Sequence, residues 1–188
     1  WKKYQFIGGM PEVVSHYSKG VSENDGLEMY SSLRRIQQGI INGYASDFSK
    51  HSGKINANHI QRVFDSIPLQ MSMVGDESVK RYRFKDVIPN YTKFAQYDGP
   101  ISWLEKAGLI YKVNLSSKPE LPLMSYTKPG LFKAYMLDIG LCNAMLELPP
   151  ESILLQNYGS YKGFMAELSV IQELKACNEK ALFCWQGR

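Results

Sequence analysis

The stretch from Ile101 to Asp138 constrains the fold more than any other part of the sequence. Its first residues place apolar side chains at helical spacing, and Gly108 follows where a helix C-cap favours glycine. Residues 109–115 and 131–137 then have the composition of two strands, and a proline-rich insert separates them. A helix that turns straight into a hairpin is typical of the end of a winged helix. The alternative is a helix packed on a two-stranded sheet without any ligand.

Helical patterns flank this unit on both sides. A long helix is predicted for residues 27–50, where Gly39 and Gly43 would allow another helix to pack closely. The remaining predicted segments are helices at 11–20, 56–67 (bent or ended by Pro68), 82–87, 100–107 (opened by Pro100), 138–146 (capped by Asp138) and 161–176 (with Phe164, Leu168, Ile171 and Leu174 inward), and a strand at 182–185. Gly8-Gly9 reads as a turn, and Leu121, Leu123 and Met124 of the insert are expected to be buried. The fold class is therefore α+β and mostly helical.

Positive charge is concentrated in the same region as the predicted winged helix. The whole chain carries +4, but residues 78–135 hold ten lysines and arginines against four acidic residues, which gives +6 there and −2 elsewhere. This coincidence favours duplex nucleic acid as a partner, while a protein partner or a solvated basic surface remains the alternative. The candidate phosphate contacts before the predicted recognition helix and on the hairpin strands are Lys80, Arg81, Arg83, Lys85, Lys112 and Lys133.

The hydropathy, cysteine and histidine patterns predict a water-soluble intracellular protein that holds no metal or cofactor. No apolar run approaches 18 residues, and no signal peptide is visible, so neither a membrane partner nor export is expected. The three cysteines form no Cys-x-x-Cys pair and indicate reduced thiols in the cytoplasm. No histidine has a ligand partner at useful spacing, so no metal or cofactor is expected in this chain.

Catalytic motifs are absent from the sequence. There is no G-x-x-x-x-G-K-[ST], G-x-S-x-G or H-E-x-x-H, so the chain alone is not expected to bind or hydrolyse nucleotides. Glu167 is the single acid retained as a candidate, because it lies mid-helix beside Phe164 and Leu168. A solvent-facing glutamate is the plainer interpretation of that position.

An ordered set of motifs resembles a known family. The set comprises G-G-M-P-E-V-V from Gly8, D-F-S-K from Asp47, I-P-L-Q from Ile67, W-L-E-K-A-G-L-I from Trp103, L-P-L from Leu121, F-K-A-Y-M-L-D-I-G-L from Phe132 and K-G-F-M-A-E from Lys162. In this order they resemble the C-terminal region, a domain of unknown function, of prokaryotic AAA+ type ATP-binding proteins. The similarity covers nearly the whole chain.

The resemblance implies a missing ATPase domain before Trp1, with ATP and magnesium bound there, and a further region after Arg188. It also implies that the Lys-Gly-…-Glu helix and the next strand begin a nuclease-like fold of the PD-(D/E)xK type. Glu167 matches the helical glutamate of that pattern. The later Asp and Glu-x-Lys are not in this sequence, so a metal-dependent nuclease site would be incomplete here.

These observations predict three parts: a helical linker or lid-like region at 1–53, a winged-helix-like module at 54–146, and the start of a nuclease-like α/β unit at 147–188. The expected function is accessory: a module without its own catalysis that binds nucleic acid or a partner for the ATPase of the same polypeptide. One alternative is a fragment of a nuclease-like enzyme completed after Arg188. The other is a purely protein–protein interaction module.

Overall fold

The computed structural model describes residues 1–20, 26–52, 54–73, 81–155, 161–177 and 181–185. Within these ranges the chain is mostly helical and carries one small mixed sheet. The elements are α1 (Lys2–Ile7), α2 (Pro11–Gly20), α3 (Leu27–Ser52), α4 (Lys54–Ser72), α5 (Phe94–Lys106), β1 (Ile110–Ser116), a 3-10 turn (Leu123–Tyr126), β2 (Thr127–Met136), α6 (Ile139–Met145), α7 (Pro150–Leu154), α8 (Tyr161–Ala176) and β3 (Leu182–Trp185). The α+β fold class is confirmed.

The three strands are ordered β2-β1-β3. β1 and β2 form the predicted antiparallel hairpin, with Ile110 opposite Met136 and Val113 opposite Lys133. β3 lies on the other side of β1 and runs parallel to it, with Leu182 opposite Val113. The order α4, α5, β1, β2 therefore places two helices directly before an antiparallel hairpin, and the sheet is extended by a third strand.

The two faces of the sheet are covered by different elements. On one face Phe132 stacks with Tyr82, with ring centroids 5.7 Å apart and planes at 10°. On the other face Tyr135 stacks with Phe164 of α8 at 6.3 Å and 9°. Neighbouring strand residues point to opposite faces, so the hairpin is packed on both sides. α8 and β3 thereby join the same core as the hairpin.

The N-terminal helices have a second, smaller core. Phe6 and Tyr30 meet edge to face at 5.2 Å, and both are almost fully buried. Arg34 lies over the Phe6 ring at 4.5 Å and donates to the carbonyl oxygen of Leu148 at 2.8 Å. Burial of this guanidinium lowers the pKa of Arg34 to about 10. The arginine thus connects α3 to the segment that precedes α7. Helix α7 itself was not predicted from the sequence.

Both prolines that were expected to mark helix boundaries lie inside helices. α4 continues past Pro68 to Ser72, and α5 begins at Phe94 rather than at Pro100. A proline in a helix loses one backbone hydrogen bond and clashes with the preceding turn. Pro100 is buried beside Ile101 and Leu104, so tertiary packing stabilises the helix despite that loss. The predicted end of α4 at residue 67 and the predicted start of α5 at Pro100 were therefore wrong.

The segment 82–87 was predicted to be a helix, and this prediction was wrong. The chain is extended there and then enters turns. Asp86 and Asn90 adopt positive φ angles of 67° and 65°, which aspartate and asparagine tolerate better than most residues. Another helix was expected to pack closely against Gly39 and Gly43. A Cβ at either position would meet nothing within 4 Å, so no described element packs closely there.

Candidate nucleic-acid interface

The segment 81–85, which lies beside the hairpin, holds three of the basic candidates: Arg81, Arg83 and Lys85. The backbone N–H of Tyr82 donates to the carbonyl of Phe132 in β2 at 2.8 Å. Gln70 of α4 brackets Arg83, since its Oε1 accepts from the Arg83 N–H at 2.8 Å and its Nε2 donates to the Arg83 carbonyl at 2.9 Å. One backbone hydrogen bond to β2 and the Gln70 side chain therefore hold the segment beside β2.

The period of two in this extended chain decides which side chains face solvent. Tyr82 is 2% exposed, and its hydroxyl hydrogen-bonds the hydroxyl of Ser66 at 2.8 Å. Arg81, Arg83 and Lys85 are exposed. An extended chain alternates its side chains, so anchoring of the tyrosine directs the neighbouring cations outward.

Lys128 is a fourth exposed cation, on β2, the strand that segment 81–85 contacts. It is exposed and lies four residues before Phe132 in β2, or about 13 Å along an extended strand. We call Arg81, Arg83, Lys85 and Lys128 the basic edge. Among the residues that the structure describes, none of the four forms an ion pair. The predicted candidate Lys80 lies outside the described residues.

Lys112 lies near the basic edge, but its ammonium is less accessible to a phosphate. Its ammonium is 5.0 Å from the centroid of the Phe132 ring and 5.6 Å from that of Phe94, the first residue of α5. These cation–π contacts hold the half-buried side chain against the aromatic cluster under the hairpin. A phosphate would reach it at the rim only.

Lys133 occupies the opposite face of the sheet. It is 7% exposed, and its Nζ lies 2.5 Å from Oε1 of Glu167 in α8. A phosphate reaching this ammonium would have to displace Glu167. Burial first, and then the nearby Glu167 carboxylate, raises the pKa of the Tyr135 hydroxyl beside them. The structure therefore joins Lys133 and Glu167, two candidates that the sequence had assigned to different activities, in one ion pair.

The predicted recognition helix offers little to nucleic acid. Because α5 begins at Phe94, its exposed surface includes Gln96 and Asp98 in addition to Glu105 and Lys106. Two carboxylates on that surface would repel phosphate. Leu104 is fully buried, as predicted, while Trp103 is half-buried and meets Phe48 edge to face at 5.3 Å.

The tip of the wing differs from the prediction. Leu121 is 87% exposed and Met124 is 61% exposed, whereas both were expected to be buried. The sequence had assigned no role to Lys118 or Lys128, which flank this tip and are exposed. Their positions on either side of the proline-rich insert were the sequence signal that could have identified them as candidate contacts.

The Gly8-Gly9 turn is a structural contact and not a phosphate cradle. The Gly9 N–H donates to Oδ2 of Asp138 at 2.6 Å, and Oδ1 accepts from the Leu141 N–H at 2.9 Å as the predicted cap of α6. Burial raises the pKa of Asp138, and the backbone N–H groups of Gly9 and Leu141 oppose that rise. One carboxylate thus joins the α1–α2 turn to α6.

The described part of the chain holds neither a membrane-spanning helix nor a cluster of metal-ligating side chains. No helix there is both long enough and apolar enough to cross a membrane. No group of three or more His, Cys, Asp or Glu side chains lies close enough to hold a metal ion, within the same ranges.

Fold and surface together define a mostly helical α+β protein with a small mixed sheet and a basic edge beside its hairpin. A family model matches residues 1–152, and the chain belongs to that family, which is described as a domain of unknown function (DUF8612). No curated protein and no solved structure matches the chain.

Proposed function

We propose that this chain is an accessory module of a larger AAA+ type ATP-binding protein and that it binds the backbone of duplex nucleic acid through its basic edge. The observation that carries the proposal is the set of four exposed cations without an acidic partner in the described ranges. Clustered arginines and lysines on one surface attract phosphate and release its counterions on binding.

The acids on α5 support a particular mode of binding. A recognition helix that reads bases in the major groove presents donors and acceptors to base edges. Here Asp98 and Glu105 occupy the exposed surface of that helix. The hairpin side therefore leads the contact, and binding through phosphates alone carries no sequence preference.

The link to an ATPase rests on the ordered motifs that resemble the AAA+ family. In this proposal ATP and magnesium bind the ATPase domain of the same polypeptide, and the present chain contributes no catalytic group. Cys142, Cys177 and Cys184 are free thiols, which supports a reducing, cytoplasmic compartment.

Fluorescence anisotropy with a short labelled duplex at low salt tests the proposal. If all four cations of the basic edge contact phosphate, the log–log salt slope should be about −3.6, from about −0.9 for each contact. The double variant R81E/R83E should lower the magnitude of the slope to about 1.8 or less and weaken binding to every duplex alike.

The matched control is K2E/R35E, which makes the same charge change at exposed residues of α1 and α3, away from the hairpin. It should leave both affinity and salt slope close to those of the unchanged protein. An equal loss in both double variants would mean that net charge alone drives binding. No binding by the unchanged chain, even at high micromolar concentration, would refute the proposal.

A protein-interaction module is the second candidate, because α8 exposes apolar side chains. Val170 is 57% exposed and Leu174 is 41% exposed, although Leu174 was predicted to point inward. Trp185 on β3 is 50% exposed. Apolar side chains that remain outside on one helix and a neighbouring strand favour a protein contact. In this case V170D/L174D should abolish complex formation with the rest of the parent protein and leave duplex affinity unchanged.

A further inference from the structure

The wing presents an apolar tip to solvent. Leu121 and Met124 expose 87% and 61% of their surfaces, and Pro122 between them is exposed as well. Leaving a leucine in water forgoes about 1.5–3 kcal/mol of transfer free energy that burial would provide. The two side chains therefore form a convex apolar knob at the end of the hairpin.

Hydrogen bonds hold the backbone of the wing, residues 117–126, in one conformation. Ser117 donates from its backbone N–H and its hydroxyl to the carbonyl of Tyr126, at 2.9 and 3.0 Å. The Thr127 hydroxyl donates to the carbonyl of Met124 at 2.8 Å, and the Ser125 N–H donates to the carbonyl of Pro122 at 3.0 Å. The tip is thus held in place before any partner arrives, which lowers the entropic cost of insertion.

Positive charge flanks the tip. Lys118 lies over the Tyr126 ring, with its Nζ 5.4 Å from the centroid. The one acid of the wing, Glu120, lies 3.9 Å from the Lys118 Nζ and accepts a hydrogen bond from the Tyr126 hydroxyl at 3.1 Å. Lys128 stands on the other side of the tip and belongs to the basic edge. An apolar knob between cations matches a polyanion whose interior is an apolar stack of bases.

We propose that the wing tip inserts into the minor groove of duplex DNA, with Leu121 and Met124 wedged at a base step and Lys118 and Lys128 on the flanking phosphates. The inference rests on the proposed function and adds its mode. Apolar wedges of leucine and methionine unstack base steps in this way and kink the duplex. Pyrimidine–purine steps such as TA deform most easily, so the tip should prefer them without reading bases by hydrogen bonds.

The test uses a duplex with 2-aminopurine at a central TA step, because its fluorescence rises when stacking is lost. The unchanged protein should raise that signal on binding. L121S/M124S should abolish the rise and weaken binding to the TA duplex about tenfold or more, because the apolar contacts between the wedge and the bases are lost. The salt slope should stay unchanged, since no cation is removed.

L155S is the matched control, since Leu155 is 75% exposed at the end of α7 and lies outside the wing. It should behave like the unchanged protein in both readouts. Thermal melts of the two variants should coincide with that of the unchanged chain, because exposed positions contribute little to folding.

The outcomes separate the two proposals. Salt-dependent binding without a 2-aminopurine signal, or with L121S/M124S as tight as the unchanged protein, overturns the wedge and leaves the basic edge in place. The tip would then belong to a protein contact. Weaker duplex binding by R81E/R83E, together with a full 2-aminopurine response at saturating protein, supports both. No binding by the unchanged chain overturns both.

Discussion

Gly140→Ala should destabilise the protein because the backbone of α1 passes directly over this residue. A Cβ at Gly140 would lie 2.5 Å from the carbonyl oxygen of Ile7, 2.7 Å from its carbon and 2.8 Å from the nitrogen of Gly8. All three are backbone atoms, so no side-chain rotation relieves the clash. Gly8 cannot move freely, because its φ of 72° and the contact of the neighbouring Gly9 with Asp138 fix the turn.

The magnitude follows from two opposing effects. Overpacking a close-packed interior costs about 1–3 kcal/mol, and disturbing the bond from Gly9 to the Asp138 carboxylate adds up to about 1.5–3 kcal/mol. Against this, alanine gains up to about 1 kcal/mol over glycine in a helix. With both costs present and the helix gain subtracted, we expect a net loss of about 1.5–5 kcal/mol, and each kcal/mol should lower Tm by about 2–4 °C in a chain of this size.

Gly43→Ala provides the matched control, and its effect should have the opposite sign. Gly43 is exposed in the middle of α3, and a Cβ there meets nothing within 4 Å. The same substitution should therefore raise stability by up to about 1 kcal/mol. Urea unfolding followed by circular dichroism measures both variants. If G140A is as stable as the unchanged chain, the close packing of α1 on α6 is refuted.

Further substitutions test other contacts. Leu104→Ala should cost about 2–5 kcal/mol in urea unfolding because the side chain is fully buried, and Trp103→Ala should cost less because the ring is half-exposed. Glu167→Gln should cost about 1–3 kcal/mol, since the buried Lys133 loses its charged partner. A thermal melt that does not change would show that the pair contributes nothing to stability. Burial raises the pKa of Asp138 above its ordinary 3.8, so the folded state binds that proton more tightly. The stability of the unchanged chain relative to Asp138→Asn should therefore increase as the pH falls through the raised pKa towards the ordinary one, and chemical unfolding across that range shows the slope. Calorimetry with ATP and magnesium should detect no tight binding to this chain alone.

Local sequence patterns predicted those parts of the fold that local forces determine. β3 was predicted with its observed bounds, and β1 and α3 within two residues of theirs. Asp138 was identified as the cap of α6, and its side chain accepts from the Leu141 N–H. Periodicity and capping act over a few residues, so a single sequence contains the information that they need.

The errors occurred where distant packing opposes a local preference. Pro68 and Pro100 stand inside helices, and α1 and α7, of six and five residues, are too short for a periodic signal. α8 was predicted correctly as a helix, yet Leu174 points outward. Hydrophobicity alone places such side chains inside, and only the observed neighbours of the helix decide which of them are covered.

The candidate site was predictable as charge but not as geometry. Ten cations in one segment were visible in the sequence, and the structure divides those named as contacts into three groups. Tyr82 is anchored to Phe132, and the alternating cations around and after it face solvent: Arg81, Arg83 and Lys85. Other cations are held by aromatic rings or by a carboxylate. Charge counts along a chain therefore overestimate a binding surface, and the strand register is required to correct them.

The Lys133–Glu167 pair bears on the nuclease alternative as well as on phosphate binding. Its two members lie 34 residues apart, on β2 and α8, and meet only because α8 covers one face of the sheet. A glutamate that serves as a metal ligand must offer its oxygens to the cation, but here one oxygen is 2.5 Å from a buried ammonium. Metal binding at Glu167 would therefore require Lys133 to lose its partner while remaining buried, at the cost of about 1–3 kcal/mol expected for Glu167→Gln. Solvent reaches 43% of the Glu167 side chain, so its second carboxylate oxygen can accept one further contact. Glu167 in this arrangement fixes α8 to the hairpin, and a nuclease site built on it would have to form around that ion pair and not in place of it.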